Sequence, residues 1–158
     1  MIFVTVGSQL PFDRLVRAVD DWAAGNGGAA AFAQIGASSY RPSHMDWAAY
    51  LPVDAFRRKL EAASLVVSHA GMGNLLLALQ AKKPILVMPR RLQLNEIRND
   101  HQLATARWLR QIPGVTVADD TEQLVQALRR GEWSEPDAVR AEASPELLAA
   151  VREFIECR

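Results

Sequence analysis

The chain has one cysteine, Cys157, so no intrachain disulfide can form, and it offers no Cys/His cluster at zinc-ligand spacing. It also lacks an excess of either charge, since 18 Lys and Arg offset 18 Asp and Glu. Neutrality removes any global pull toward nucleic acid or an anionic membrane, so a site for a polyanion has to be local. No apolar run approaches the ~20 residues of a transmembrane helix. The opening Met1-Ile2-Phe3-Val4-Thr5-Val6-Gly7 lacks the basic flank and long apolar stretch of a secretory signal, and reads as a strand. No Asp-x-Asp pair occurs, and no Gly-Lys-Ser/Thr follows a glycine turn. What remains is 158 residues, 49% of them hydrophobic, which suits one domain with a proper core. These bounds predict a soluble single domain over 1–158, from a reducing compartment.

Short β-rich runs alternate with helical patterns. Ile2–Val6 is a compact apolar run. Pro11–Trp22 carries Phe12, Leu15, Val16 and Val19 at helical spacing, with Pro11 suited to the first turn. Gly25-Asn26-Gly27-Gly28 breaks the chain before a weak second strand, Ala29–Ile35. A polar loop, Gly36–Asp46, precedes a short strand at Trp47–Leu51 and a helix at Asp54–Ala62 with Asp54 as its cap. Leu65–Val67 and Ile85–Met88 read as buried strands, and Asn74–Ala81 and Asn99–Leu109 as helices. Val115–Val117 is the last strand and Thr121–Arg129 the helix after it. Gly131–Ala143 is irregular, and Ser144–Ile155 predicts a final helix capped by Ser144. Apolar strands without alternation imply a sheet covered on both faces, and strand–helix alternation implies parallel pairing. The expected fold is α/β, a doubly wound parallel sheet of Rossmann-like type.

Charge is uneven along the chain. Between Lys82 and Arg98 stand five basic residues and one acid, Glu96, whereas from Ile112 onward ten acids face five bases. The basic segment follows a strand, where doubly wound sheets bind ligands. Three loops after strands carry chemistry. Ser68-His69-Ala70-Gly71-Met72-Gly73-Asn74 joins a strand to a helix, and its glycines let free amides approach a phosphate; a bare strand-to-helix turn would look the same. It is a poor dinucleotide fingerprint, because Leu76 replaces the third small residue and no acid ends the next strand. Val87-Met88-Pro89-Arg90-Arg91 leads to Arg98-Asn99-Asp100-His101-Gln102, with Arg90 free to swing over a crevice and a run of donors and acceptors suited to sugar hydroxyls. The same run would serve as an ordinary capped surface helix. Val6-Gly7-Ser8-Gln9 is the third loop. One crevice would gather all three.

At these residues the sequence resembles a known group. Ile2–Gln9 with Pro11–Val16, Val67–Gly73, Lys83–Arg90 and Arg98–Ala106 are similar to small bacterial exopolysaccharide and capsule glycosyltransferases of the PssE type, over roughly residues 1–110. More distantly the chain is similar to the carboxyl-terminal, nucleotide-sugar-binding half of MurG-like enzymes (glycosyltransferase family 28). It also looks like the catalytic subunit of the eukaryotic transferase that adds the second N-acetylglucosamine to a dolichol-linked chain.

The resemblance implies one Rossmann-like half of a GT-B enzyme that binds a UDP-sugar as donor substrate, with no cofactor and no metal. It places Gly7, Ser8, Gly71, Met72, Gly73 and Asn74 at the diphosphate. His69 and the turn with Pro52 and Val53 would lie near the nucleoside, and Arg90, Glu96, His101 and Gln102 near the sugar. Backbone amides and helix poles would stabilise the departing UDP. Two departures stand out. Leu77 occupies the position where relatives often hold the ribose with Glu, so that Glu96 substitutes, backbone groups hold the ribose, or affinity is reduced. Ile97 replaces a frequent histidine. The resemblance further implies a partner: a membrane-anchored subunit that supplies the acceptor half, a lipid-linked sugar as acceptor, and a peripheral cytoplasmic location at the inner membrane face. No catalytic base is assigned in this chain. The helix at Ser144–Ile155 would dock the partner or pack on its own domain. The expected activity is hexosyl transfer to a lipid-diphosphate-linked sugar, and the rival reading is a non-catalytic nucleotide-binding module that scaffolds or regulates a partner.

Overall fold

A computed structural model describes residues 1–26, 30–98 and 101–137. The strands are β1 (Ile2–Thr5), β2 (Ala31–Gln34), β3 (Asp46–Ala48), β4 (Leu65–His69), β5 (Ile85–Met88) and β6 (Val115–Val117). The helices are α1 (Asp13–Gly25), α2 (Val53–Ala62), α3 (Met72–Gln80), α4 (His101–Leu109) and α5 (Thr121–Arg130), with a 3-10 turn at Leu92–Leu94. All strand pairs are parallel, in the order β3-β2-β1-β4-β5-β6. The chain thus winds outward from β1 to β3, crosses over, and winds the other way from β4 to β6. The doubly wound α/β sheet expected from the alternation is the fold observed.

Two apolar layers enclose the sheet. On one side Leu15, Val16 and Val19 of α1 and Leu124 and Leu128 of α5 pack with Val4, Val67 and Leu86. On the other, Leu60 of α2, Leu75 and Leu79 of α3 and Leu109 of α4 cover Phe3, Val66 and Val87. Neighbours along a strand, such as Phe3 and Val4, enter opposite layers because side chains alternate across a sheet. All four residues of β5 are buried, each aliphatic side chain contributing about 1.5–3 kcal/mol of transfer free energy.

The loop from β2 to β3 is tied down by two carboxylates on α1. Asp13 accepts hydrogen bonds from the Ser39 amide (3.1 Å) and the Tyr40 amide (3.3 Å). Asp20, wholly buried, accepts from Tyr40 Oη (2.7 Å), the Ser43 amide (2.9 Å) and the His44 amide (2.8 Å). Burial alone would raise the Asp20 pKa, but these donors outweigh it and hold the group below its ordinary value.

Element starts differ from the sequence expectation where caps differ. Phe12 is the N-cap of α1, so Pro11 precedes the helix instead of opening it. Pro52 is the N-cap of α2, and Asp54 sits within the first turn, where its charge still suits the helix dipole. α3 begins at Met72, two residues early, because Gly71 adopts the extended N-cap conformation. Asp120 caps α5 through a bond from the Gln123 amide (2.9 Å). The expected helix start at Asn99 and Asp100, and the expected final helix Ser144–Ile155, lie outside the described residues. Among the described residues no helix is long and apolar enough to cross a membrane.

Candidate functional site

The winding reverses between β1 and β4, and the carboxyl ends of these neighbours are level, Thr5 pairing with Ser68. Loops leaving the two strands diverge and open a crevice, where ligands of such sheets bind. Here the crevice is an open cleft of about 750 Å³, lined by Val6–Leu10, His69, Gly71–Asn74, Arg90, Ile97, Arg98 and Gln102. Gly7, Ser8, Gly71, Met72, Gly73 and Asn74 therefore share one cleft.

The α3 end of the cleft is built from main-chain donors. Gly71, the N-cap, has no side chain to fold back on the helix. The amides of Met72, Gly73 and Asn74 consequently have no acceptor within the helix and carry its positive pole. A Cβ at Gly73 would meet nothing within 4 Å, so this stretch of backbone faces open space. The Asn74 side chain turns inward instead: its Nδ2 donates to Ser68 Oγ (2.9 Å), and Ser68 Oγ donates to the Thr5 carbonyl (2.8 Å). These bonds fasten α3 to β4 and β1, while Asn74 remains part of the cleft lining.

His69 fills the gap between the two turns. A Cβ on Gly7 would approach His69 Cε1 to 2.8 Å, and one on Gly71 would approach Nε2 to 2.1 Å. Gly7 also has a φ of +79°, in the region that favours glycine. Both glycines thus make room for an imidazole that packs on both turns. Burial, and secondarily the charge of Arg90, pushes the His69 pKa down to about 4. The ring is neutral at neutral pH and offers one donor and one acceptor. Its expected companions at the nucleoside, Pro52 and Val53, do not line the cleft. Pro52 caps α2, Val53 is exposed, and both follow β3, two strands away from β1.

The residues expected at the sugar take different places. Arg90 does not swing free: it is buried, and its Nη2 donates to the carbonyls of Val6 (2.7 Å) and Leu10 (2.6 Å). Gln102 is buried as well, its Oε1 accepting from the Arg90 amide at 3.0 Å. Both still border the cleft. Glu96 lies outside the lining and is held by Arg14, from Nε at 2.7 Å and Nη2 at 2.8 Å, and by the Arg91 amide at 2.9 Å. Its carboxylate is thus committed to Arg14 and the Arg91 amide, and Leu77 is exposed on α3. His101 opens α4, and its side chain lies outside the described residues.

Gln9, Ile97 and Arg98 line the cleft without having been assigned a role from sequence. For Arg98 a signal existed, the basic excess of residues 82–98. For Ile97 the signal was the frequent histidine it replaces, and for Gln9 the residue type alone carries none.

The fold is similar to that of solved glycosyltransferases. The glycotransferase of kitacinnamycin matches with a TM-score of 0.62 at 19% identity, over 82% of this chain and 34% of that one. CalG4, the calicheamicin glycosyltransferase, matches at 0.57 and 16% identity, over 82% and 34%. The spinosyn forosaminyltransferase SpnP matches at 0.51 and 18% identity, over 81% and 34%. The likeness is one of fold, and the chain spans about a third of the length of each. No curated protein sequence is a significant match. The family model of the glycosyltransferase family 28 C-terminal domain, however, matches residues 1–154, a span that takes in all six strands and every residue of the cleft, and the chain belongs to that family.

Proposed function

We propose that the cleft holds the diphosphate of a UDP-sugar and that the chain is the donor-binding, catalytic subunit of a hexosyltransferase. In this reading it adds a hexose to a lipid-diphosphate-linked sugar during bacterial exopolysaccharide or capsule assembly, at the inner face of the membrane, beside a membrane-anchored subunit that carries the acceptor. One observation carries the reading: the Gly7–Ser8 turn and the N-terminus of α3, which has no side-chain cap, open into one crevice at the switch point of the sheet. Family membership supports a sugar nucleotide as ligand. The likeness of residues 1–110 to PssE-type enzymes supports the polysaccharide setting.

The chemistry is a direct displacement with inversion. An acceptor hydroxyl attacks C1 of the sugar, the bond from C1 to the β-phosphate oxygen breaks, and UDP departs with the electron pair. The amides of Met72, Gly73 and Asn74 meet the charge that grows on the diphosphate. A base must take the acceptor proton. Among the described residues lining the cleft there is no carboxylate, and His69, with a pKa near 4, is a weak base. In this reading the acceptor-bearing partner supplies the base.

Calorimetric titration of the full chain with UDP tests the ligand, and no detectable binding would sink the proposal. Co-expression with the partner and a donor screen on a lipid-linked acceptor tests the activity. Nucleotide binding without transfer in that assay would favour the non-catalytic module.

A further inference from the structure

Arg90 is the one buried cation among the described residues. Its guanidinium has two hydrogen bonds there, both from Nη2 and both to carbonyls, those of Val6 and Leu10. Its Nε is buried without a partner, and the group lies 5.1 Å from the centre of the Phe12 ring. The Glu96 carboxylate, whose charge it feels, is already held by Arg14 and by the Arg91 amide. Burial depresses the Arg90 pKa to about 10, which leaves the group protonated at neutral pH. A buried charge with no counter-ion of its own among the described residues is costly, so its position calls for a compensating role. That position is in the lining of the cleft, beside a turn whose two ends it grips.

We infer that Arg90 is the positioning residue of the diphosphate site: it fixes the Gly7–Gln9 turn opposite the α3 N-terminus and completes its charge balance only when an anionic diphosphate occupies the cleft. The inference rests on the diphosphate reading of the cleft and adds to it the residue that sets the geometry. The Val6 and Leu10 carbonyls bracket the turn, and one nitrogen bonds both, so the turn cannot open without breaking two charge-assisted bonds. Gln102 fixes the Arg90 main chain in turn, linking α4 to the end of β5.

The test measures binding of UDP, inorganic pyrophosphate and uridine to the full-length wild type, Arg90→Met and Arg90→Lys, with thermal unfolding as a control. Arg90→Met is expected to weaken UDP and pyrophosphate about tenfold or more while uridine changes less than about twofold. Arg90→Lys keeps the charge and shortens the reach, so UDP affinity falls between the other two. In both variants amide hydrogen exchange of residues 7–10 speeds up. Should Arg90→Met fail to fold, the Lys variant carries the test through its affinity and exchange together. Equal losses for all three ligands, or unchanged UDP affinity with wild-type exchange, overturn the inference while leaving the diphosphate reading intact. A wild type that binds neither UDP nor pyrophosphate overturns both.

Discussion

A side chain at position 73 should separate ligand binding from folding. Gly73 is the second residue of α3, lines the cleft, and has open space where a Cβ would stand. Gly73→Ala therefore removes a glycine from a helix without a clash, which raises stability by up to about 1 kcal/mol. For a chain of this size that corresponds to a gain of roughly 2–4 °C in Tm. Gly73→Val keeps the space argument, gives back some stability through its stiff β-branch, and should be close to neutral. The added methyl groups project into the cleft and hold a phosphate oxygen away from the amides of Gly73 and Asn74. Losing one charge-assisted bond costs about 1.5–3 kcal/mol, so UDP affinity should fall about 10- to 150-fold in the valine variant. Calorimetry with UDP and differential scanning calorimetry on the same preparations read both quantities. Unchanged affinity in Gly73→Val at unchanged Tm would show that no ligand approaches this backbone, and the placement of the diphosphate would be refuted.

Three further perturbations test the architecture around the cleft. Gly71→Ala, two residues away, should behave oppositely to Gly73→Ala, because its Cβ would stand 2.1 Å from His69 Nε2; a loss of about 1–3 kcal/mol is expected, partly recovered in the double variant with His69→Ala. The His69 pKa is about 4 in the folded chain against an ordinary 6.5, so between those pH values the unfolded chain binds the extra proton. Stability should be complete above pH 6.5 and fall by about 3 kcal/mol as pH drops to 4, and denaturation midpoints of His69→Asn should be flatter over that interval. Asp13 and Asp20, held below their ordinary 3.8, lose their contribution mainly at lower pH and leave the upper part of the window to the imidazole. Finally, the Arg14–Glu96 pair is only 20% and 11% exposed, so Glu96→Gln should cost about 2 kcal/mol, and a double-mutant cycle with Arg14→Met should show strong coupling. Additive effects in that cycle would mean the pair does not restrain the segment after β5.

The sheet was legible because its signal is local and repeated. Ile85–Met88 and Val115–Val117 announce strands by four and three apolar or β-branched residues between breaks, and the alternation with helices dictates parallel pairing. Two glycine-bearing loops following strands were enough to locate the crevice, since a doubly wound sheet has one switch point. Helix starts were read less well, because Gly71 and Phe12 cap by backbone conformation and carry no side-chain signal. The 3-10 turn Leu92–Leu94 is too short to show a period. Roles of Arg90 and Glu96 were hidden for a different reason: their partners Val6 and Arg14 are 84 and 82 positions away. Local composition marks such residues as polar and available, whereas the fold commits them to contacts that only three-dimensional pairing reveals.

Those distant contacts share a destination. Ser68 and Asn74 reach the Thr5 carbonyl, from 63 and 69 positions away, and Arg90 reaches Val6 and Leu10 just beyond it. His69 packs against Gly7 between them. The carboxyl end of β1 is thus held by β4, α3 and the segment after β5 together, and Asn74, His69 and Arg90 among these holds also line the cleft. A short loop after a four-residue strand has little reason to keep one shape on its own, because exposed turns sample many conformations at small cost. Here the turn is over-determined, which is what the proposed site of backbone donors requires. Amides cannot rotate to find a phosphate as a lysine can, so their aim must be fixed in advance. Main-chain groups of the two turns border the cleft, and the side chains of Ser68, Asn74, Arg90 and Gln102 hold that backbone in place.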